Sequence, residues 1–322
     1  MRNEINFFGL LHFQKNENLK LNFKSKSDKE KILVYLKNAI VLSEQLNKFG
    51  YKFELITNDK KYINNLLKKL NFSLNLKKIS FKTFVPPNTH FYSCHYRVDV
   101  FKYLSFLKNS YSILIDLDVL ILNKPTNLIK NSNQEIAFVN KITSNVLPAY
   151  GKKNILKILK ILNPKIKKVN WYGGDFFCGN STFYKQLHER TKFYQKKFVE
   201  NISSLSTQTD ELFMSLAIED IKKKYNVLDC TKSKTFTRYW NTNVKHLQKK
   251  IPYYLKFKIL HIPADKLFLS RCYDELTKKN SFNDDYFMHV YSFRNIFRKV
   301  VSKILPNIIK DKIKKYLSSK IH

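Results

Sequence analysis

Between Tyr111 and Leu122 the chain is almost unbrokenly apolar, and the only charges inside that run are Asp116 and Asp118. A segment so rich in Ile, Leu and Val predicts a buried strand, and a buried strand needs cover on its faces. The rest of the N-terminal half supplies that cover in strict alternation. Ile5 to Phe13 reads as a first strand. After a polar interval, Ser27 or Asp28 caps a helix in which Ile32, Leu33, Leu36, Ile40, Val41 and Leu46 recur at helical spacing, with Gly50 closing it. Tyr51 to Thr57 is a second strand, Tyr62 to Leu70 an amphipathic helix, and Lys77 to Phe84 a third strand. Pro86-Pro87 breaks the chain before a helix that begins near Tyr96. Strand–helix alternation at this pitch predicts an α/β fold with a mostly parallel sheet.

The second half is less regular. Asn154 to Leu162 reads as helix, Trp171 to Asn180 as strand and turn, Ser181 to Phe198 as helix, and Thr209 to Ala217 as the start of another. Ile259 to Ile262 reads as a short strand.

If Tyr111 to Leu122 is one strand, Asp116 and Asp118 share a face, with Cα atoms about 7 Å apart. Two ionised carboxylates in so apolar a setting are costly unless a cation stands beside them. Hard oxygen ligands suit a divalent ion, and such an ion suits a diphosphate. The carboxyl end of a strand is also where ligands of open α/β sheets collect.

Composition narrows the class. The 322 residues include 59 basic and 25 acidic, a net charge of +34, and only 6 glycines. A field of that sign attracts polyanions: nucleic acid, anionic lipid or a phosphorylated substrate. No zinc finger, RNA-recognition signature or Walker loop is present, and the four cysteines form no CxxC pair. No basic, apolar leader precedes Phe13, so a cytoplasmic protein is expected. With glycine so scarce, Gly173-Gly174 and Gly179 imply tight turns or a close approach of backbone to another group.

The apolar strand with Asp116-Leu117-Asp118, the segment His95-Tyr96-Arg97-Val98-Asp99-Val100-Phe101, the stretch Trp171 to Asn180 with Gly173-Gly174-Asp175, and Thr209-Asp210-Glu211-Leu212-Phe213 together resemble glycosyltransferases of the GT-A fold. The likeness is to the family 8-like and the capsule or lipooligosaccharide branches, and it spans roughly Ile5 to Phe268. It implies a single GT-A catalytic domain over residues 1–290 that uses a nucleotide-sugar, with UDP as the nucleotide. It implies Asp116 at the ribose and the metal, Asp118 as a direct ligand, and Mn²⁺ (or Mg²⁺) as the ion. A late histidine completes such sites, and His261 fits, with His289 competing. The likeness further puts Arg97, Asp99, Gly173, Gly174 and Lys266 at the donor, and Asp175 and Asp210 at the catalytic centre; His12 ends the first strand, on the sheet edge expected to hold the nucleotide base. From the residues alone, Arg97 and Asp99 are equally a surface pair, and Asp210-Glu211 equally complement a helix dipole. Retaining and inverting chemistry both remain open.

From Phe293 onward an apolar stripe alternates with Lys and Arg, opposed only by Asp311. This predicts a basic amphipathic tail over residues 291–322 that lies on an anionic membrane surface, at the inner face of the plasma membrane. The partners expected are a nucleotide-sugar, a glycan or lipid-linked acceptor and that surface, with no nucleic acid. A nucleic-acid-binding protein without catalysis, or a nucleotidyltransferase, are the alternatives. The first leaves the buried carboxylates unexplained, and the second lacks a glycine-rich phosphate loop.

Overall fold

The computed structural model describes residues 4–13, 27–108, 110–126, 128, 135–240 and 245–279. Residues Met1–Lys278 form one compact unit. The expected membrane tail and His289 lie outside the described residues.

The unit is built on a seven-stranded sheet in the order β3-β2-β1-β4-β7-β6-β8. Its strands are β1 (Glu4–Leu11), β2 (Lys52–Thr57), β3 (Asn75–Lys78), β4 (Ser110–Ile115), β6 (Ile136–Lys141), β7 (Tyr172–Gly179) and β8 (Asn226–Asp229). All pairings are parallel except those of β7, which runs against both β4 and β6. A smaller sheet joins β5 (Val119–Ile121), β10 (Ile259–His261) and β9 (Phe236–Arg238), with β10 in the middle. Mixed α/β architecture with a mostly parallel sheet is the one the sequence predicts.

Local chemistry sets the first helices where expected. The helix Asp28–Asn47 starts because the Ser27 side chain accepts from Glu30 N at 3.2 Å, and Gly50 reverses the chain at φ +75°. The helix Lys60–Lys69 is capped the same way by Asp59, which accepts from Tyr62 N at 2.9 Å. The third strand is earlier and shorter than predicted: its ladder with β2 ends at Thr57↔Lys78, beyond which β2 offers no further partner strand.

One core cluster lies between the sheet and the helices Arg97–Leu104, Ser181–Glu200 and Glu211–Ile221, and the helix Asp28–Asn47 buries Leu36, Ile40 and Leu46 elsewhere. All six residues of β4 and all eight of β7 are buried. Tyr184 is completely buried, and its hydroxyl sits between the carbonyls of Phe177 (2.8 Å) and Ser112 (3.1 Å), joining a helix to two strands at once.

The central expectation of one strand from Tyr111 to Leu122 needs correction. The chain leaves the large sheet after Ile115 and enters the small one at Val119. Asp116 N still donates to Asp175 O (3.1 Å), continuing the large sheet. Asp118 O accepts from Ile262 N (2.9 Å), opening the small one. Leu117 makes the crossing, buried to 3% exposure and lying against Gly9, where a methyl group would collide with it. The two aspartates therefore stand on different sheets, and their convergence comes from this crossing and not from alternation along a strand.

Candidate metal centre and active site

His261 closes β10, opposite Val119 on one side and Arg238 on the other. Its Nε2 lies 3.2 Å from Asp118 Oδ1 and 3.7 Å from Asp116 Oδ2. One ligand atom from each of the three residues falls within 4.8 Å of the others. The far side of the ring is fixed: Nδ1 is 2.7 Å from Asp175 Oδ2, and an ionised carboxylate there requires Nδ1 to carry the proton. Nε2 is buried and makes no well-aligned hydrogen bond. Two carboxylates, a histidine held by a third carboxylate and an unsatisfied Nε2 facing inward fit a divalent cation.

Basic side chains surround the cluster. Lys266 Nζ lies 2.6 Å from Asp118 Oδ2 and donates to Pro263 O at 2.6 Å. Arg97, 6% exposed, reaches Asp116 with one terminal nitrogen and Asp210 Oδ2 with the other, the latter at 2.5 Å. Burial opposes ionisation of Asp118, but Lys266 and His261 outweigh it and hold the carboxyl far below its usual range. The same balance holds Asp175 low, with Arg238 and His261 as the cations. For Asp116 burial dominates and pushes the carboxyl up, with Arg97 offsetting part of the effect; it is the most open of the three, at 26% side-chain exposure. Burial also works against a charged His261, yet Asp118 and Asp175 lift it to about 9, so the ring is cationic at neutral pH.

The expected site residues divide clearly by position. Asp116, Asp118, His261, Lys266, Arg97, Asp210, Gly174 and His12 all line one cleft, which encloses about 270 Å³. Asp99 is turned away: its Oδ2 accepts from Thr83 N at 3.0 Å. Asp175, expected beside the sugar, is instead 1% exposed beneath the cluster, bound by Asn140 Nδ2 (3.0 and 3.2 Å), Arg238 Nε (2.6 Å) and His261. Asp210 reaches the cleft but is tied to Arg97. The paired glycines serve this packing. A Cβ at Gly173 would lie 2.6 Å from Arg238 Nη2, and one at Gly174 would lie 2.8 Å from Arg97 Nη1 and 2.9 Å from Asp210 Oδ2.

His12 sits at the other flank, stacked on Tyr96 with ring centroids 3.8 Å apart and edge-on to Phe81 at 4.9 Å. Burial depresses it to about 4, so it is neutral at physiological pH.

Sequence reasoning missed Arg238 and Asn140. Arg238 ties Asp175 to Glu211 (Nη2 to Oε1, 2.8 Å). The signal for it was faint but present. The chain uses Lys for nearly all of its basic positions, so its few arginines stand out; Arg97 is buried and the Arg238 side chain is only 10% exposed.

No protein-family model and no curated protein matches the chain. Solved structures do match. The chain resembles galactosyltransferase LgtC in complex with donor and acceptor sugar analogs over 83% of its own length and 95% of that chain, with TM-score 0.51 and 10% identity. An active-site mutant of LgtC aligns over 80% of this chain and 86% of its own, with TM-score 0.50 and 10% identity. Mouse xyloside xylosyltransferase 1, apo form, aligns over 80% and 97% at 12% identity, with a TM-score of 0.46. At such identities the first two comparisons speak to the fold, and the fold is the GT-A architecture expected from the sequence.

Proposed function

We propose that the chain is a metal-dependent glycosyltransferase that moves a sugar from a nucleotide-sugar, with UDP as carrier, to a glycan or lipid-linked acceptor. One observation carries this reading: Asp116, Asp118 and the Nε2 of a carboxylate-backed His261 converge in the wall of the cleft in a GT-A fold.

Asp116, Asp118 and His261 would hold the ion, and the mixed oxygen and imidazole set favours Mn²⁺ over Mg²⁺. When bound, a divalent cation there neutralises charge on the departing diphosphate. The protein's own groups do the rest. Lys266 and Arg97 are preplaced cations within reach of the same oxygens, so a diphosphate arriving at Asp118 meets donors that need little reorganisation. The neutral His12–Tyr96 stack, on the β1 side, offers an aromatic face for the base. Asp210 holds Arg97, and Asp175 holds His261 and Arg238; both are positioning residues in this reading.

The basic stripe over residues 291–322 fits an enzyme resting on the anionic inner face of the plasma membrane, where a lipid-linked acceptor is presented.

Thermal shift with a panel of nucleotide-sugars, each with and without Mn²⁺, tests the core of the proposal. At least one donor is expected to raise the melting temperature only when Mn²⁺ is present. If no donor does so with either Mn²⁺ or Mg²⁺, and the protein binds duplex DNA tightly with a steep salt dependence, the reading is wrong.

A further inference from the structure

The cleft continues past the carboxylates to an end that the donor reading leaves unused. Lys266 and Pro263 lie toward the helix Asp28–Asn47, with Lys266 Nζ 6.0 Å from the Tyr35 ring, and His12 follows β1. A nucleotide diphosphate running from Asp118 past Lys266 to His12 therefore occupies the β1 flank. The opposite flank, beyond β7 and β6, is walled by Tyr150, Trp240 and His246, which line the same cleft.

These three rings form a corner. Tyr150 ends the helix Thr143–Tyr150 and stays 43% exposed. Trp240 and His246 are stacked, with centroids 4.3 Å apart and planes at 4°. His246 meets Tyr150 edge-on, at 5.9 Å and 85°. The corner is held in place by its neighbours. Gln248 clamps both backbone groups of Trp240 (2.7 and 3.0 Å), Leu247 pairs with Asn145 through two hydrogen bonds (2.9 and 3.1 Å), and the Arg238 guanidinium lies 5.2 Å from the Trp240 ring centroid. Glu211, held by Trp171 Nε1 (2.8 Å) and Arg238, sets a carboxylate in the same wall.

A pyranose ring matches this arrangement. Its C–H face packs on an aromatic plane while its edge hydroxyls reach charged groups alongside, and a fixed right-angled pair of rings accepts a flat ring with two contacts. We propose that the Tyr150–Trp240–His246 corner is the acceptor subsite and that it takes a sugar ring rather than a protein hydroxyl or a lipid phosphate. The assignment rests on the donor reading above, which fills the other flank.

Saturation-transfer NMR on the full chain with UDP and Mn²⁺ tests it, using methyl β-D-galactopyranoside, methyl β-D-glucopyranoside and methyl N-acetyl-β-D-glucosaminide as probes. At least one is expected to receive saturation and to change the emission of Trp240, since the only other tryptophan, Trp171, is 1% exposed. Tyr150→Ala and Trp240→Ala should each weaken that binding roughly fivefold to tenfold, while Tyr150→Phe keeps it. The same samples report the donor side: the Mn²⁺-dependent nucleotide-sugar shift should persist in both alanine variants. Three results overturn the subsite. These are no glycoside contact in the wild type, contact that survives both alanine substitutions, or alanine variants that bind UDP normally but its sugar conjugate poorly. A wild type that contacts glycosides yet shows no nucleotide-sugar shift overturns the donor reading instead.

Discussion

Asp175 accepts the Nδ1 proton of His261 at 2.7 Å, and this one contact decides which face of the imidazole looks toward Asp116 and Asp118. The ring could otherwise turn either nitrogen inward. With Nδ1 committed, Nε2 is the atom left to bind an ion or a proton.

Replacing Asp175 by Asn keeps the shape and removes the charge. Mn²⁺ affinity should fall about 10–100-fold, the range seen when the outer partner of a ligating histidine is lost. Arg238 would keep only Glu211, so the melting temperature should drop as well, with a cost on the order of 1–3 kcal/mol. Calorimetric titration with Mn²⁺ beside a urea melt separates the two effects. Unaltered Mn²⁺ affinity would show that Asp175 is structural only.

Asp118→Asn should abolish the Mn²⁺-dependent thermal shift and sugar transfer together, because the same oxygens serve both. A variant that transfers sugar at the wild-type rate would remove Asp118 from the metal site.

The cationic His261 gives a sign to the pH dependence. Its pKa, about 9 in the folded chain, lies above the ordinary value near 6.5 for an unfolded one. Its contribution to stability is therefore full below about pH 6.5 and fades as pH rises through 9. An ion must displace the Nε2 proton, so Mn²⁺ affinity should climb roughly tenfold per pH unit across that window and then level off. Titrations at pH 7.5 in buffers of different ionisation enthalpy should count close to one proton released per ion. A count of zero would mean that His261 is not a ligand.

Arg97 bridges two carboxylates in different elements, Asp116 and Asp210. Arg97→Met should cost about 3–5 kcal/mol, since it strands buried charge. Adding Asp210→Asn should recover part of the loss, because one of the stranded charges is then gone. Urea melts of the single and double variants measure the coupling; strict additivity would contradict the shared-partner geometry.

What the sequence disclosed follows from the range of each signal. Ser27, Gly50 and Asp59 act within a few residues, so the first strand–helix–strand units were legible almost to their boundaries. Asp116 and Asp118 stood out because charge is anomalous in an apolar run. Their arrangement was not legible: that Leu117 bridges two sheets depends on Asp175 and Ile262, which lie far along the chain. The burial of Asp175 and the turn of Asp99 toward Thr83 likewise depend on partners that no local pattern names. Arg238 and Asn140 lack a motif altogether, and their importance appears only once β7, β6 and β9 are placed.

Gly9 offers a test of the crossing itself. Its missing side chain leaves room for Leu117, with Phe53 Cζ also 2.9 Å from where a methyl group would stand. Gly9→Ala should cost about 1–3 kcal/mol by overpacking and, by pushing Leu117, weaken Mn²⁺ binding although residue 9 never meets the ion. A stability loss with unchanged Mn²⁺ affinity would leave the crossing without influence on the site.

Because Asp116 hangs from the large sheet while Asp118 and His261 hang from the small one, a cation gripped by all three would act as a rivet through a seam. Chelation should then loosen the small sheet before the large one. In hydrogen-exchange measurements the amides of Ile262 and Tyr239 would be the first to quicken, well ahead of those in β4. On this geometry an ion held there would keep the two halves of the cleft floor in register as well as meet the diphosphate.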